Sequence, residues 1–259
     1  MPKCVTSAAE PMIKRLFDIL VSAFGLLVAS PVLLPVMFLV WRQDGHSPFY
    51  VAPRAARRSG TFDMIKLRSM VINADKSGVD STGSNDRRIT KVGHFIRRYK
   101  LDELTQLWNV FIGDMSLVGP RPNVKRETDL YTPVEKKLLD VKPGITDISS
   151  IVFSDEGDVL KDQADPDIAY NQLIRPGKSV LGLFYIEHRS LLLDLQLVLL
   201  TLTAIASRER ALAGVQRILR GLDASQDLLA LASRQYPLTP RPPPGGDRIV
   251  TSRDGNPFA

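Results

Sequence analysis

The chain has 259 residues, with 34 Lys and Arg against 28 Asp and Glu, which gives a formal net charge of +6 and a pI near 9.5. Hydrophobic residues make up 44% and charged residues 24% of the sequence, and this ordinary composition excludes a wholly disordered or fibrous protein. The single cysteine, Cys4, excludes an internal disulfide and favours a reducing compartment. The basic balance predicts anionic partners, such as phosphorylated substrates, nucleic acid or an anionic membrane surface.

The apolar residues are concentrated near the N-terminus. The segment from Ile19 to Trp41 carries no charged residue and is long enough to cross the hydrocarbon core of a bilayer. A secretory signal peptide would be cleaved after the small residues 28–30. This interpretation is disfavoured because the apolar run continues beyond that point and because Pro31 would lie at the cut.

A spanning helix and a re-entrant helix remain, and the flanking charges favour the second. A spanning helix has its basic residues mainly on one side, whereas here they lie on both flanks, at Lys14, Arg15, Arg42, Arg54, Arg57 and Arg58. Ser30-Pro31 and Pro35 disturb helical hydrogen bonding, and the Ser30 hydroxyl is a local partner for a freed carbonyl. We therefore predict a membrane segment over residues 12–42 that is broken at Ser30 and Pro31 and returns to the same face.

The rest of the chain divides into three predicted regions. Residues 43–207 form a catalytic domain, which includes a second apolar stretch, Leu191 to Ala206. Because Asp194 interrupts that stretch, it predicts a buried or interfacial helix with Asp194 facing protein or water. Residues 208–236 predict an amphipathic helical extension, and the Pro- and Gly-rich residues 237–259 predict a disordered tail.

The most informative segment for chemistry runs from residue 87 to residue 122. Apolar residues at Leu104, Leu107, Trp108 and Phe111 predict a helix with one buried face that stops at Gly113. This helix places the adjacent acids 102 and 103 in its first turn, where backbone N–H groups and the helix dipole stabilise carboxylates.

Two interpretations of this acidic pair compete. Acidic residues commonly cap helices, and that role alone would explain Asp102 and Glu103. However, basic residues lie on both sides, at Arg97, Arg98, Lys100 and, within a Gly-Pro-Arg-Pro corner, Arg121. Arginine binds phosphate oxygens in a bidentate fork, and a carboxylate in such a site can attack phosphorus.

These residues resemble the bacterial sugar transferase family, the small monotopic phosphoglycosyl transferases that start glycan assembly on polyprenyl phosphate. Further landmarks are Lys66-Leu67-Arg68-Ser69-Met70, the segment 142–146 and the opening residues 14–18, so the resemblance covers about residues 12–206. It implies an α+β fold, mostly helical with a small β-hairpin, a re-entrant N-terminal helix and interfacial amphipathic helices. It also implies a location at the cytoplasmic face of the bacterial inner membrane.

The resemblance implies roles for individual residues. Asp102 is the nucleophile and Glu103 its partner, and both are candidate Mg²⁺ ligands. Arg121 grips the nucleotide phosphate and Arg97 supports the acidic pair. The remaining candidate substrate-binding residues are Lys66, Arg68, Pro120, Pro122 and Asp194.

The implied reaction is ping-pong with two substrates. Asp102 takes a phosphosugar from a UDP-sugar and releases UMP, and polyprenyl phosphate then attacks the covalent intermediate. Mg²⁺ is the implied cofactor, since it prefers oxygen ligands and diphosphates. Anionic membrane lipids and downstream glycosyltransferases are further expected partners.

The sequence departs from the family pattern at three places. The glycine-bearing turn after Arg54 is replaced by residues 55–59, and Gly60 is displaced by one position. Thr105 stands where a proline is common, and residues 147–150 replace a frequent Gly-Trp-Ala-Gln sequence. Because the last change lies where sugar selectivity is expected, the sequence does not predict which sugar is transferred.

Other function classes explain less of the sequence. His46, His94 and His188 lack the spacing of zinc ligands, and no interleaved aromatic motif accompanies the basic pairs, which disfavours nucleic acid. A glycosidase needs two carboxyl groups on opposite sides of a sugar, which adjacent residues do not provide. A non-enzymatic, basic membrane scaffold that binds lipid phosphates remains the alternative, although it leaves the acids among the arginines unexplained.

Overall fold

The computed structural model describes residues 12–77, 82 and 85–252, so Cys4 and the last seven residues of the predicted tail lie outside the described part. The helices are α1 Met12–Asp44, α2 Lys91–Arg98, α3 Leu101–Leu104, α4 Leu107–Ile112, α5 Lys125–Asp129, α6 Ile148–Val152, α7 Glu156–Val159, α8 Pro166–Ala169, α9 Arg175–His188, α10 Leu191–Ala206, α11 Arg208–Gly221 and α12 Gln226–Ser233. The strands are β1 Phe49–Ala55, β2 Thr61–Leu67, β3 Ser116–Val118 and β4 Gly144–Thr146. Short 3-10 turns cover Arg57–Ser59, Ala74–Ser77 and Glu135–Asp140, and a π-helical turn covers Tyr170–Ile174.

The strands form two small sheets. β1 and β2 pair antiparallel as a hairpin, in register from Phe49 opposite Leu67 to Ala55 opposite Thr61. β3 and β4 pair in parallel, with Ser116 opposite Gly144. The predicted architecture, mostly helical with a small hairpin, is confirmed.

The main hydrophobic core extends beyond the predicted catalytic domain. Helices α6, α9 and α10 bury side chains such as Ile148, Leu181 and Leu197 in one cluster. α11 and α12 belong to the same cluster through Ala211, Leu212, Val215, Leu219, Leu228 and Ala232. The extension predicted over residues 208–236 is thus helical, and its apolar face packs into the core of the preceding region.

The C-terminal segment also differs from the prediction. Residues 237–252 follow the surface in an irregular but hydrogen-bonded path rather than a disordered one. The backbone of Gln172 accepts a hydrogen bond from the Arg241 N–H, and its side chain donates one to the Val250 carbonyl. Thr132 donates to the Pro244 carbonyl at 2.5 Å, and Val250 is 1% exposed. The apolar Val250 and these hydrogen bonds fix a segment whose composition alone predicts disorder.

Helix α1 runs as one helical element from Met12 to Asp44 with both prolines inside it, and the re-entrant path predicted at Ser30 and Pro31 stays a prediction. Pro31 has no N–H to donate to the Leu27 carbonyl, and the Ser30 hydroxyl donates to that carbonyl instead, at 2.7 Å. This hydrogen bond is the one expected of Ser30 from the sequence, and it satisfies the freed carbonyl without interrupting the helix. At 33 residues, α1 is long and apolar enough to cross a membrane, which indicates a membrane protein.

Both ends of α1 are docked on the same protein body. Near its start, the Lys14 ammonium lies 2.5 Å from the Asp194 carboxylate, and Arg15 donates to the carbonyls of Val110 and Phe111. At its end, Asp44 pairs with Arg68, which directly follows β2. If α1 crossed the bilayer in a straight line, its two ends would lie on opposite membrane faces, separated by the full thickness of the hydrocarbon core. In this structure both ends instead pair with residues of one protein body.

The helix predicted to run through Leu104 and Phe111 is divided into α3 and α4. Thr105 and Gln106 form the connection, and the Thr105 hydroxyl is hydrogen bonded to the carbonyls of Ile65 and Asp102. Trp108 and Phe111 are 47% and 38% exposed, so the predicted buried face is wrong for these two residues. The predicted stop at Gly113 is confirmed.

Candidate active site

Three structural elements bring the charged residues of the site together. Lys66 comes from β2, Arg97 from the last turn of α2, and the acids Asp102 and Glu103 from α3. Arg121 comes from the corner that follows β3. The charges of Lys66, Arg97 and Arg121 all act on Asp102, which shows that the structure unites residues that span 56 positions of sequence.

The corner that carries Arg121 is held rigidly by β4. The Gly119 N–H donates to the Thr146 carbonyl, and the Gly144 N–H donates to the Pro120 carbonyl, both at 3.0 Å. The two backbones approach so closely that a Cβ on Gly144 would lie 2.1 Å from the Gly119 nitrogen, so the corner requires glycine there. Pro120 and Pro122 are buried on either side of Arg121 and restrict its backbone.

Glu103 is clamped by Arg121. The Arg121 guanidinium donates to Glu103 Oε1 at 2.6 Å. Burial by itself would raise the pKa of Glu103, but the charges of Arg121, Lys66 and Lys100 together lower this pKa to about 2. Glu103 in turn raises the pKa of Arg121, so this pair stays charged at any physiological pH.

Asp102 differs from its neighbour because one oxygen is unused. Within the described part of the chain, its Oδ1 atom is buried and has no hydrogen-bond partner. Burial and the charge of Glu103 raise the pKa of Asp102, whereas Lys66, Arg97 and Arg121 oppose that rise. Because α3 has only four residues, these cations, rather than a helix dipole, favour the ionised carboxylate. Of the two acids, Asp102 is thus the one with a buried oxygen that no described residue engages.

Lys66 and Arg97 flank this carboxylate. Burial, reinforced by the charge of Arg121, lowers the pKa of Lys66 to about 8, so the ammonium form is only marginally favoured at neutral pH. Burial also lowers the pKa of Arg97, whose Nε donates to the Ser69 hydroxyl at 3.0 Å. Both side chains are half-buried cations, and a bound polyanion would supply the countercharge that partial burial withholds from them.

Two predicted substrate-binding residues have structural partners instead. Arg68 is 7% exposed, and its guanidinium forms a bidentate pair with Asp44 at 2.5 and 2.7 Å. Asp194 is 1% exposed and accepts hydrogen bonds from Lys14 and from the Tyr185 hydroxyl, the latter at 2.6 Å. The structure therefore places these two residues in the anchoring of α1. The prediction that Asp194 faces protein is confirmed.

The residues present fit a Mg²⁺ ion bound together with a substrate. Among the described residues, no group of three or more His, Cys, Asp or Glu side chains comes together. Mg²⁺ commonly binds one or two carboxylates together with substrate phosphates and water. The unpartnered Asp102 Oδ1 offers such an oxygen, and Glu103 is adjacent, although one of its oxygens is held by Arg121.

A pocket beside Arg121 contains residues that the sequence did not identify. It encloses about 590 Å³, including its open mouth, and its lining includes Tyr131, Tyr170 and Lys178. Lys178 pairs with Glu156, whose charge also acts on Arg121. These residues are far from the motifs in sequence, and no local pattern marks them. Asp147 and Ser149, from the departing segment 147–150, also line the pocket, where Asp147 caps α6.

Comparisons with known proteins identify the family of the chain. The chain matches the bacterial sugar transferase family over residues 9–208. It is 33% identical over 207 residues to the exopolysaccharide production protein ExoY of Sinorhizobium fredii, which covers 74% of this chain and 84% of that protein. It is 32% identical over 215 residues to an uncharacterized sugar transferase of Haemophilus influenzae, covering 77% of this chain and 42% of that protein.

A third relative extends well beyond the matched region. The undecaprenyl-phosphate galactose phosphotransferase of Salmonella typhimurium is 41% identical over 149 residues, which are 52% of this chain and 31% of that protein. The chain thus spans less than half the length of two of these three relatives. The family match covers most of the chain, including every residue of the acidic pair and its cations. The chain belongs to the bacterial sugar transferase family.

Proposed function

We propose that this protein transfers a phosphosugar from a UDP-sugar to polyprenyl phosphate, with UMP as the first product, by a ping-pong mechanism. The observation that supports it most is the Oδ1 atom of Asp102, which is buried without a hydrogen-bond partner among the described residues and lies close to three half-buried cations, Lys66, Arg97 and Arg121. The family match and the name of the Salmonella relative, a phosphotransferase that acts on undecaprenyl phosphate, support the class of acceptor. Relatives named for exopolysaccharide production support a role in surface polysaccharide synthesis.

The donor is bound through its diphosphate. Lys66, Arg97 and Arg121 surround the position next to Asp102, and together they neutralise the charge that would otherwise repel the carboxylate. Arg121 is fixed by Glu103 and by the corner after β3, so it holds a phosphate in a defined orientation. Bound Mg²⁺ would add Lewis-acid stabilisation of charge on the phosphate oxygens.

The first step forms a covalent intermediate. The unpartnered Asp102 oxygen attacks the phosphorus that carries the sugar, and the bond from this phosphorus to the bridging diphosphate oxygen breaks. UMP leaves with that oxygen and its electron pair, and an aspartyl phosphosugar remains. Lys66 and Arg97 stabilise the negative charge that develops on the transferring group.

The second step regenerates the carboxylate. A phosphate oxygen of polyprenyl phosphate attacks the same phosphorus, and the bond between phosphorus and the Asp102 oxygen breaks. Polyprenyl diphosphosugar is released, and Asp102 is again ionised. Glu103 remains paired with Arg121 throughout, so it keeps the guanidinium in place between the two steps.

The proposed membrane arrangement is monotopic, on the cytoplasmic face of the inner membrane. Both ends of α1 bind the same body. Large apolar side chains are exposed on α1, on α4 and on α10, and these include Leu20, Phe24, Leu27, Phe38, Trp108, Ile112, Leu195, Leu199 and Leu202. Anionic lipids suit the net charge of +6, and polyprenyl phosphate reaches the site from the same membrane.

A mass-spectrometric experiment tests the mechanism. Purified protein in detergent is incubated with a panel of UDP-sugars and Mg²⁺ in the absence of polyprenyl phosphate. We expect UMP release limited to one turnover and a phosphosugar adduct on the peptide that contains Asp102. Asp102→Asn removes the nucleophile at nearly constant shape and should abolish both signals.

Asp63→Asn is the matched control, because Asp63 is an exposed aspartate of β2 and this change leaves its backbone contacts intact. It should behave as wild type. An adduct on another residue would refute Asp102 as the nucleophile, and UMP release that requires the acceptor would indicate direct transfer. No UMP release from any UDP-sugar would favour the membrane scaffold.

A further inference from the structure

A small second core joins α1 to the active site. It consists of six buried side chains, three from α1 and three from the body: Leu33, Val36, Val40, Leu67, Ile96 and Leu101. The α1 members follow helical spacing on one face, and Val40 and Ile96 are fully buried. Their neighbours Leu34 and Leu39 point away and are 63% and 46% exposed. We call these six residues the α1 cluster.

The three body members of the α1 cluster are the sequence neighbours of active-site residues. Leu67 follows Lys66, Ile96 precedes Arg97, and Leu101 precedes Asp102. In each pair, the apolar side chain enters the cluster while the charged side chain enters the site. Because consecutive Cα atoms are joined by a rigid peptide plane, a backbone shift at the apolar residue also moves its charged neighbour.

Arg121 is held by a separate framework. Its corner is fixed by β4 through the hydrogen bonds from Gly119 and Gly144, and the neighbouring Leu117 and Val118 belong to the main core. Movement of the α1 cluster should therefore change where Lys66, Arg97 and Asp102 lie relative to Arg121. The backbone of Arg121 and the backbones of the other three residues thus have different supports, and the side-chain pair between Arg121 and Glu103 joins them.

We propose that the second half of α1 positions the active site: Leu33, Val36 and Val40 act as positioning residues that fix Lys66, Arg97 and Asp102 against Arg121, whose backbone is held by β4. This inference rests on the proposed function, since it assigns a role in that reaction. A misplacement of about 1 Å can reduce a rate on the order of 100-fold, so packing at this distance from the chemistry affects catalysis directly. The position of α1 in the membrane thereby affects the geometry of the active site and the rate of the reaction.

Steady-state kinetics in lipid nanodiscs test the proposal with matched pairs. Leu33→Ala and Val40→Ala remove buried contacts, and Leu34→Ala and Leu39→Ala remove exposed side chains from the same helix. We expect the two buried variants to lose kcat by tenfold or more while KM for the UDP-sugar changes less than threefold, because Arg121 still grips the donor. The exposed variants should stay within twofold of wild type, and Leu33→Ile should recover most of the lost kcat.

Hydrogen exchange supplies a second measurement that needs no turnover. In Leu33→Ala, the amides of residues 64–69 and 94–104 should exchange faster, while those of α11 remain unchanged. Equal kcat and equal exchange rates in the buried and exposed variants would overturn the proposal. Faster exchange across the whole protein, together with a lower kcat and a proportionally higher KM, would also overturn it. If wild type releases no UMP, the proposed function fails, and the exchange comparison still decides whether the cluster fixes these segments.

Discussion

Replacing Asp194 should unfold the anchor of α1 rather than remove a reacting group. Asp194→Leu leaves the Lys14 ammonium, which is 17% exposed, without its carboxylate partner at 2.5 Å, and it removes the acceptor of the Tyr185 hydroxyl. Removing one member of a buried ion pair costs about 3–5 kcal/mol. At about 2–4 °C per kcal/mol for a protein of this size, we expect Tm to fall by roughly 10 °C.

The double variant separates structure from catalysis. Lys14→Met combined with Asp194→Leu removes both charges and fills the space with apolar groups, which is often neutral for stability. The Val118 carbonyl remains available to the Tyr185 hydroxyl at 3.2 Å. Thermal unfolding in detergent, followed by circular dichroism, should show recovery of most of the lost Tm, and UMP release should recover with it. A stable but inactive double variant would refute this reasoning and would place Asp194 in the reaction.

Three further predictions concern the site and its supports. The kcat/KM for the donor should fall as the pH rises through about 8, because Lys66 then loses the proton that it needs to bind the diphosphate, and Lys66→Arg should shift this limb to higher pH. Gly144→Ala should reduce UMP release by more than tenfold, because its Cβ would lie 2.1 Å from the Gly119 nitrogen and would displace the Arg121 corner. Gly245→Val should lower Tm by several degrees, because this residue has φ +79° and its Cβ would lie 2.6 Å from Val134.

Two glycines provide controls for the last two changes. A Cβ on Gly60 would meet its nearest atoms at 3.5 Å or more, and a Cβ on Gly221 would meet nothing within 4 Å. Gly60→Ala should retain activity, and Gly221→Ala should retain Tm. If either control loses as much as its partner, general intolerance of a side chain at glycine positions, rather than the close contact, explains the result. If kcat/KM of Lys66→Arg still fell as the pH rose through about 8, another group would be responsible for that titration.

The acidic pair and its cations were accessible from local pattern alone. Asp102 and Glu103 are adjacent, and Arg97 and Arg121 lie within 20 residues of them in the same segment of the chain. The roles of Arg68 and Asp194 were not accessible in this way. A buried charge seen in sequence signals that a partner exists, but the partners Asp44 and Lys14 lie 24 and 180 positions away. Local pattern cannot rank such distant pairs.

The helical elements show the same division. The spacing of apolar residues located α4, but it wrongly assigned Trp108 and Phe111 to the buried face. The reason is that a helix face exposed to lipid and a helix face buried in the core show the same apolar spacing in the sequence. The Pro- and Gly-rich composition of the tail predicts disorder. Composition cannot show the hydrogen bonds that residues 237–252 make with Gln172 and Thr132, because these partners come from a surface that exists only after folding.

The sequence by itself determined the family, the membrane helix and the identity of the acidic pair, since each depends on residues close together in the chain. Tertiary structure decided how the contacts of the two acids differ. Asp102 and Glu103 are alike in sequence, yet Arg121 binds Glu103 and leaves a buried oxygen of Asp102 without a partner in the described part of the chain. Tertiary structure also decided that α1 packs against the neighbours of Lys66, Arg97 and Asp102. The physical reason is that burial and charge at a site are sums over residues from distant segments, and only the folded chain brings those segments together.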